Sequence, residues 1–351
     1  MRRYFLKRLL LLPLTLLGIT FIAYVITRFV PGGPLDQALA QKQQAAARGR
    51  GVVASGNSSS LSPAEEAQLK KFYKLDRPLL IGYGEWLGVW PNPDTGKYEG
   101  LMQGEFGHSF LRGQPVLEVI VEKLPVSAWL GGWSLVLTYG VCIPLGIVKA
   151  LRHRTRVDNV TSVVLFTGYA LPGYILAVVS LYFFAFHWEV FPHSGIATKE
   201  LEGAGLWLRL KDRAWHSVLP LACLTSGNFA LMTLLMKNSL LDNLALDYVR
   251  TAVAKGVSFH NAVLRHAFRN SLVPVATGFG NCLGALLAGS FLIEKIFDID
   301  GIGLLSFSSL VGRDYPVFLG LLTCSSFLLL LGNIVSDVCV ALVDPRIRFG
   351  K

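Results

Sequence analysis

Charge is scarce in this chain. Asp, Glu, Lys and Arg make up 16% of its 351 residues, against about 25% in soluble globular proteins. Hydrophobic residues reach 52% and mean hydropathy is +0.48, so the composition is that of a polytopic membrane protein. Catalytic signatures are missing too. No G-x-x-x-x-G-K-[ST] loop is present, so the chain cannot hold ATP phosphates in the Walker manner. Without H-E-x-x-H and G-x-S-x-G it lacks the two commonest hydrolase signatures. The five cysteines, Cys142, Cys223, Cys282, Cys324 and Cys339, all lie in apolar runs and form no C-x-x-C pair. They read as small core residues rather than disulfide or metal groups. His260 and His266 have no cysteine or carboxylate cluster beside them, so no metal site is expected there. No internal repeat stands out.

What is present is a series of long apolar runs. The first, within "MRRYFLKRLLLLPLTLLGITFIAYVITRF", begins like a signal peptide but is too long for an h-region of about 7–15 residues, and no A-x-A site follows. It reads as an uncleaved first span over 9–29, bent only mildly by Pro13 in its first turns. Further spans are predicted over 127–149, 158–187, 215–237, 271–294 and 315–342, each near or above the roughly 20 residues a bilayer core requires. The third contains "YALPGY" at 169–174, where Pro172 and Gly173 kink or break the helix; two short helices in a re-entrant hairpin are the alternative. The predicted fold class is thus all-α polytopic, with six transmembrane helices.

Six spans place both termini and the loops 149–158 and 237–270 on one side. Arg2, Arg3, Lys7, Arg8, the run "KALRHRTRVD" and the basic residues of 237–270 all fall there, and they account for the net charge of +10. Cytoplasmic loops are enriched in Lys and Arg, so both termini are predicted to be cytoplasmic. Orientation explains the positive charge, and no nucleic-acid partner is needed.

Three regions follow: residues 1–30 with the first span, an extracytoplasmic segment 31–126, and a core 127–351. Within the outer segment, 41–63 is small, polar and Gly/Ser-rich, a composition that favours disorder. Ser62, Pro63, Glu65 and Glu66 mark a helix start. "PLLIGYGEWLGVW" carries Trp86 and Trp90 and either lies along the membrane interface or belongs to a solvent-exposed subdomain.

The stretch "DYVRTAVAKGVSFHNAVLRHAFRNSLVPV", 247–275, breaks the membrane pattern. Leu240, Leu244, Tyr248, Ala252 and Lys255 fall on one side of a predicted helix over 239–256. Gly256 is placed to end that helix in a left-handed conformation. Ser258 can cap the next helix, and Pro274 opens the following span. Ala252 and Ala254 are small enough for another backbone to approach closely. A loop needed only for topology needs no capped helix pair, so 239–270 reads as a handle for another protein.

This segment resembles the cytoplasmic coupling loop, the EAA loop, of the membrane subunits of ATP-binding-cassette importers in the oligopeptide, dipeptide and nickel branch. Thr251-Ala252 followed by Gly256 matches the signature's small residues and glycine, while Arg250 stands where the wider superfamily carries glutamate. "FVPGGPLDQA", "GEFGHSFLRGQPVLEVIVEKLPVSAWLG", "GRDYP" and "ALVDPRIRFG" are similar to the same branch. "PGGPLDQA", "MKNSLLDN" and "LIEKIFDIDGIGLL" look most like its Yej-type oligopeptide and microcin C importer subunits.

The resemblance implies a type I importer fold in a bacterial inner membrane, with an extracytoplasmic insertion after the first helix. It implies a second homologous permease subunit, ATPase subunits or one fused double ATPase, an external solute-binding protein, and a lipid bilayer. ATP and Mg would belong to the ATPase, with no cofactor and no catalytic residue on this chain. The coupling residues carried over are Tyr248, Arg250, Thr251, Ala252, Lys255, Gly256 and Ser258, with Arg250 and Lys255 pairing ATPase carboxylates. Pro172, Asn228, Asn281 and Gly284 are candidates for the translocation pathway, although Asn228 and Asn281 read first as bonds between helices. Gly278, Gly280, Gly284 and Gly289 are spaced for close helix contact. Glu294, Asp298 and Asp300 form an acidic cluster expected to meet the binding protein or gate the outer end. Asp337 is expected to pair with a basic loop. The cargo is an oligopeptide or peptide-like compound, with dipeptide, glutathione and nickel chelate as alternatives. A secondary transporter working without an ATPase is the alternative of another class.

Overall fold

The computed structural model describes residues 2–29, 76–93, 95–201, 203–280 and 289–343, with side chains from residue 6 onward. The predicted disorder at 41–63, the helix start at Ser62, and Asn281, Cys282, Gly284 and the tail after Val343 lie outside the described residues. Among the described residues the structure is helical and has no strand, only an isolated bridge between His108 and Pro115.

In chain order the helices are α1 (Arg2–Phe29), α2 (Leu79–Leu87), α3 (Val116–Leu151), α4 (Arg156–Ala170), α5 (Gly173–Ser180), α6 (Leu206–Leu244) and α7 (Asp247–Ala254). Then come α8 (Phe259–Ala262), running through a π-type turn Val263–Ala267 into α9 (Phe268–Ser271), α10 (Val273–Thr277), α11 (Phe291–Ile296), α12 (Ile302–Val311) and α13 (Tyr315–Val343). Four of them, α1, α3, α6 and α13, are long and apolar enough to cross a membrane. A fifth crossing is made if α4 and the Gly173–His187 helix count as one span, bent by 97°. The predicted fifth span, 271–294, falls partly outside the described residues.

Local chemistry explains the breaks. Proline disfavours the helical region for the residue before it, and Leu171 is extended, with ψ 124, ahead of Pro172. That ends α4 and opens the 97° bend. By contrast, α1 runs unbroken through Pro13 and α6 through Pro220. In these apolar helices hydroxyls return a bond to their own backbone: Thr161 to Val157 O, Thr225 to Leu221 O and Thr323 to Leu319 O, at 2.6–2.7 Å.

The described residues group into two compact units. One takes its residues from 1–13, 121–307 and 324–351. It has an apolar core around Leu130, Ala177, Leu221, Ile293 and Phe297. A second apolar core in the same unit gathers Met236, Leu240, Val249, Ala262, Val263 and Ala267. The other unit takes its residues from 14–120 and 308–323. There α2 packs on α1: Tyr83 stacks on Trp86 and meets Phe21 edge-on, and its hydroxyl lies 2.9 Å from Thr20 Oγ1. Trp86 is thereby part of a protein contact, while Trp90 stays exposed. In this unit the buried Asp314 accepts from Ser109 Oγ and from the backbone N–H groups of Phe110 and Leu111, fixing the turn that precedes α3.

Candidate functional site

The predicted helix over 239–256 is two helices. α6 stops at Leu244, Leu246 is extended with ψ 147, and α7 starts afresh at Asp247. The expected stripe from Leu240 to Lys255 is therefore not one face. Leu240 is buried, whereas Tyr248 and Lys255 are exposed, and the α7 side chain that enters the core is Val249. Asp247 lies in the first turn, where a carboxylate offsets the helix dipole.

At the other end of α7, Val257 N donates to Ala252 O and Gly256 N to Val253 O, at 3.2 and 2.9 Å. This is a Schellman closure, and it demands the left-handed conformation that Gly256 adopts, with φ +90. Ser258 occupies the N-cap position of α8, but its hydroxyl makes no cap bond.

Arg250, Thr251, Lys255, Gly256 and Ser258 are exposed, and Ala252 is half-buried. Arg250 is 74% exposed and, among the described residues, pairs with Asp247 at 3.9 Å; such surface pairs contribute about 0–1 kcal/mol. A Cβ built on Gly256 would meet nothing within 4 Å. Tyr248 differs from its neighbours. Its hydroxyl donates to Asn243 Oδ1 at 2.9 Å and accepts from Asn270 Nδ2 at 3.2 Å, so it ties α7 to the end of α6 and to α9. The result is a short, closed, mostly exposed helix seated by one valine on a close-packed hub.

That hub reaches two long helices. Ala150 of α3 and Met236 and Leu240 of α6 belong to it. At Gly146 of α3 a Cβ would lie 2.7 Å from Met236 Cβ and 3.0 Å from Thr233 O, so glycine permits the approach of α6. Beside the hub sits a buried charge cluster. Lys237 of α6 donates to both oxygens of Asp158 at 2.8 Å. Lys149 of α3 lies 3.0 Å from Asp158 Oδ1 and also donates to Asp158 O, Thr161 Oγ1 and Ser162 Oγ at 2.7–2.8 Å. Arg154 N donates to Asp158 Oδ2 at 3.0 Å. The relative exposures are 0% for Lys149, 3% for Asp158 and 8% for Lys237. By sequence all three count only among the charges of the cytoplasmic loops. The signal was there: Asp158 is the single acid at the end of the basic run 149–158.

Two of the pathway candidates meet in one place. A cavity of about 210 Å³ is lined by Ser134 and Thr138 of α3, Asn228 of α6, and Ser290 and Glu294 at the start of α11, among others. A neighbouring cavity of about 340 Å³ shares Leu224, Asn228 and Ser290 and reaches Pro172 at the break between α4 and α5. Asn228 is exposed and makes no hydrogen bond to the described residues, so the expected bond to a neighbouring helix is not formed there.

The acidic trio at 294–300 divides by burial. Glu294 is 3% exposed and accepts from Ser290 N at 3.2 Å and Leu304 N at 2.6 Å. It closes the turns around α11 from within, which removes it from a docking edge. Asp298 and Asp300 remain at the surface, and Asp300 pairs with Lys123 of α3 at 2.5 Å. Asp337 has an ion-pair partner, but it is Arg8 of α1 rather than a loop residue. Of the small residues, Gly280 lies hard against α13, where a Cβ would stand 2.7 Å from Gly332 C; Gly278 has ordinary contacts at 3.5–3.8 Å.

Known proteins carry this arrangement further. Over 99% of both chains the sequence is 37% identical to the inner membrane ABC transporter permease protein YejB of Escherichia coli O157:H7. It is 36% identical to the peptidoglycan transport system permease protein YejB of Agrobacterium fabrum, over 100% of this chain and 99% of that one. Against the oligopeptide transport system permease protein AppB of Bacillus subtilis the identity is 31%, over 99% of this chain and all of the relative. Residues 142–349 match the family described as binding-protein-dependent transport system inner membrane component. That span contains α7, the charge cluster and, from the wall of the smaller cavity, Asn228, Ser290 and Glu294, and the chain belongs to this family of multi-pass membrane permeases.

Proposed function

We propose that this chain is one of two membrane subunits of an ATP-driven importer for oligopeptides or peptide-like compounds, and that α7 with the turn after it is where the ATPase takes hold. The observation that carries the reading is the seating of α7. A helix of eight residues offers Arg250, Thr251, Lys255 and Gly256 outward while Val249 fixes it to a hub shared with α3 and α6. Force applied to α7 enters two membrane-length helices directly. The names of the three relatives, which speak of peptidoglycan and oligopeptide transport and of an ABC permease, support the cargo class.

In this reading the chain crosses the membrane six times, the fifth crossing running through 271–294, with both termini and α7 in the cytoplasm. Segment 31–126 is outside. A second permease completes the passage, a solute-binding protein delivers cargo, and one fused or two separate ATPase chains bind ATP and Mg. Closure of the nucleotide domains pushes α7, and the spans swing from inward-open to outward-open as rigid bodies. Arg250 and Lys255 pair ATPase carboxylates, Asp298 and Asp300 face the binding protein, and Pro172 and Asn228 border the passage.

The test is a pair of substitutions. Gly256→Ala adds a Cβ that meets nothing in this chain and costs about 1–2 kcal/mol through its left-handed backbone alone. Gly256→Trp fills the space the ATPase needs. Copurification of the ATPase and ATP-driven uptake in proteoliposomes should survive the first and be lost with the second. Retention of both by the tryptophan variant, or uptake driven by an ion gradient through this chain alone, overturns the reading.

A further inference from the structure

Hydroxyls in apolar helices bond to their own backbone, since no water is available to them there. Thr161, Thr167, Thr225, Thr277 and Thr323 all do so. Ser134 and Thr138 on α3, Asn228 on α6, and Ser290 ahead of α11 depart from that habit, as the buried Thr233 Oγ1 does elsewhere on α6, and these four line the cavity of about 210 Å³. None of their side chains hydrogen-bonds to the described residues. Ser134 and Thr138 stand four residues apart and so share one face of α3. Thr138 is only 3% exposed and lines the cavity. An unpartnered polar group at membrane depth costs free energy unless something polar visits it.

The chemistry of the wall narrows the visitor. It holds no Lys or Arg, so a phosphate or carboxylate finds no counter-charge. Its single carboxylate, Glu294, already accepts from two backbone N–H groups. What remains is a carboxamide and four hydroxyls, each able to donate and accept; of these Ser127 already accepts from Ile302 N, which leaves Ser134, Thr138, Ser290 and Asn228. A peptide bond presents one donor and one acceptor per residue. A volume of about 210 Å³ is that of roughly seven waters at about 30 Å³ each, room for a short run of main chain. The neighbouring cavity of about 340 Å³ is walled by Tyr169, Leu171, Cys223 and Ile293 as well as by Ser226, Asn228 and Ser290.

We infer that Ser134, Thr138, Asn228 and Ser290 form a main-chain subsite for the peptide in transit, which holds its amide groups and is blind to the charge of its side chains. This rests on the peptide-importer reading above. A permease handling peptides of many sequences has only the backbone in common among them, and this wall is made of groups that pair with a backbone.

The experiment uses the full complex, with partner permease, ATPase and binding protein, in proteoliposomes. Tripeptides with a Lys, Glu or Ala centre are the cargo, at concentrations that saturate the binding protein. The combined variant Ser134→Ala, Thr138→Val and Asn228→Leu keeps side-chain volumes close. Three lost hydrogen bonds of about 1 kcal/mol each should lower uptake kcat/KM at least tenfold, and by the same factor for all three peptides. Uptake equal to wild type, or a loss confined to one charge class, overturns the subsite. Wild-type complex offered a peptide with a benzophenone side chain supplies a second reading: adducts on 134–138 and 228 are expected, and adducts only elsewhere refute it. Should wild-type complex import no peptide at all, the importer reading falls first and takes the subsite with it. Normal wild-type uptake beside an unaffected variant removes the subsite alone.

Discussion

Substituting Asp158→Asn tests the hub most directly. The side chain keeps its size and can still accept from Arg154 N, but the charge that faces two ammonium groups is gone. Lys237 loses both of its bonds at 2.8 Å to a carboxylate and keeps no other partner among the described residues. Lys149 loses one partner at 3.0 Å and retains Asp158 O, Thr161 Oγ1 and Ser162 Oγ. The damage therefore falls on Lys237, 8% exposed and left as a buried charge without a counter-ion. Breaking one side of a buried pair costs roughly 3–5 kcal/mol. At about 2–4 °C per kcal/mol, the apparent melting temperature of the purified complex should fall by roughly 6–20 °C. Fluorescence-detected size exclusion after heating reads this directly. Adding Lys237→Met to the variant removes the orphaned charge, so the double variant should be more stable than Asp158→Asn, by a coupling energy of about 0.5–3 kcal/mol. A single variant that melts within about 2 °C of the parent, or a double variant worse than the single, would refute the assignment of this cluster as a buried, mutually dependent tie.

Two further outcomes follow from close contacts. Gly280→Ala should destabilise by about 1–3 kcal/mol, because its Cβ would stand 2.7 Å from the backbone of α13, whereas Gly278→Ala should be nearly neutral; equal thermal stability of the two variants would contradict the packing. In the other unit, Asp314→Ala strips the acceptor from Ser109 Oγ, Phe110 N and Leu111 N. Hydrogen exchange at the Phe110 and Leu111 amides should accelerate about tenfold or more, in line with loss of about 1–3 kcal/mol, and unchanged exchange there would count against the anchor.

Much of the architecture is legible because membrane helices announce themselves by length and apolarity. The runs that become α1, α3, α6 and α13 were readable from hydropathy, and the break at Pro172 from proline's effect on the residue before it. Helix ends were less legible. α3 begins at Val116, eleven residues before its predicted start at 127, because amphipathic turns outside the bilayer carry no continuous apolar signal. The stop at Leu244 was missed since no glycine or proline marks it, and Ala245 and Leu246 both suit a helix. Gly256 was readable because a left-handed closure has few other residues to use. Partnerships were the hardest to see. Asp158 and Lys237 are 79 residues apart, and nothing local in the sequence says that either is buried. Glu294 looked like one of three surface acids because its partners are backbone N–H groups, which every residue type supplies.

The distribution of polar groups bears on how work is transmitted. A push on α7 meets Val249, and through it Met236 and Leu240, in a core where interiors behave as close-packed solids and pass strain on rather than absorbing it. Immediately beside that core, Asp158 binds the start of α4 to α3 and α6 by five bonds from charged or backbone donors. The near ends of α3, α4 and α6 are thus fixed to one another beside the core on which α7 is seated. Farther along, the helix breaks at Leu171–Pro172, where the backbone turns by 97°. The cavity opens beside this bend, walled on the rigid side by Asn228 and on the bent side by Pro172 and Gly173. On the proposed reading, stiffness beside α7 and a joint beside the cavity would convert a small displacement of α7 into a change in the shape of the cavity. The same geometry explains why the tie is buried and charged. An apolar contact would let the helix ends slide along one another, whereas bonds with donor and acceptor directions hold a single register.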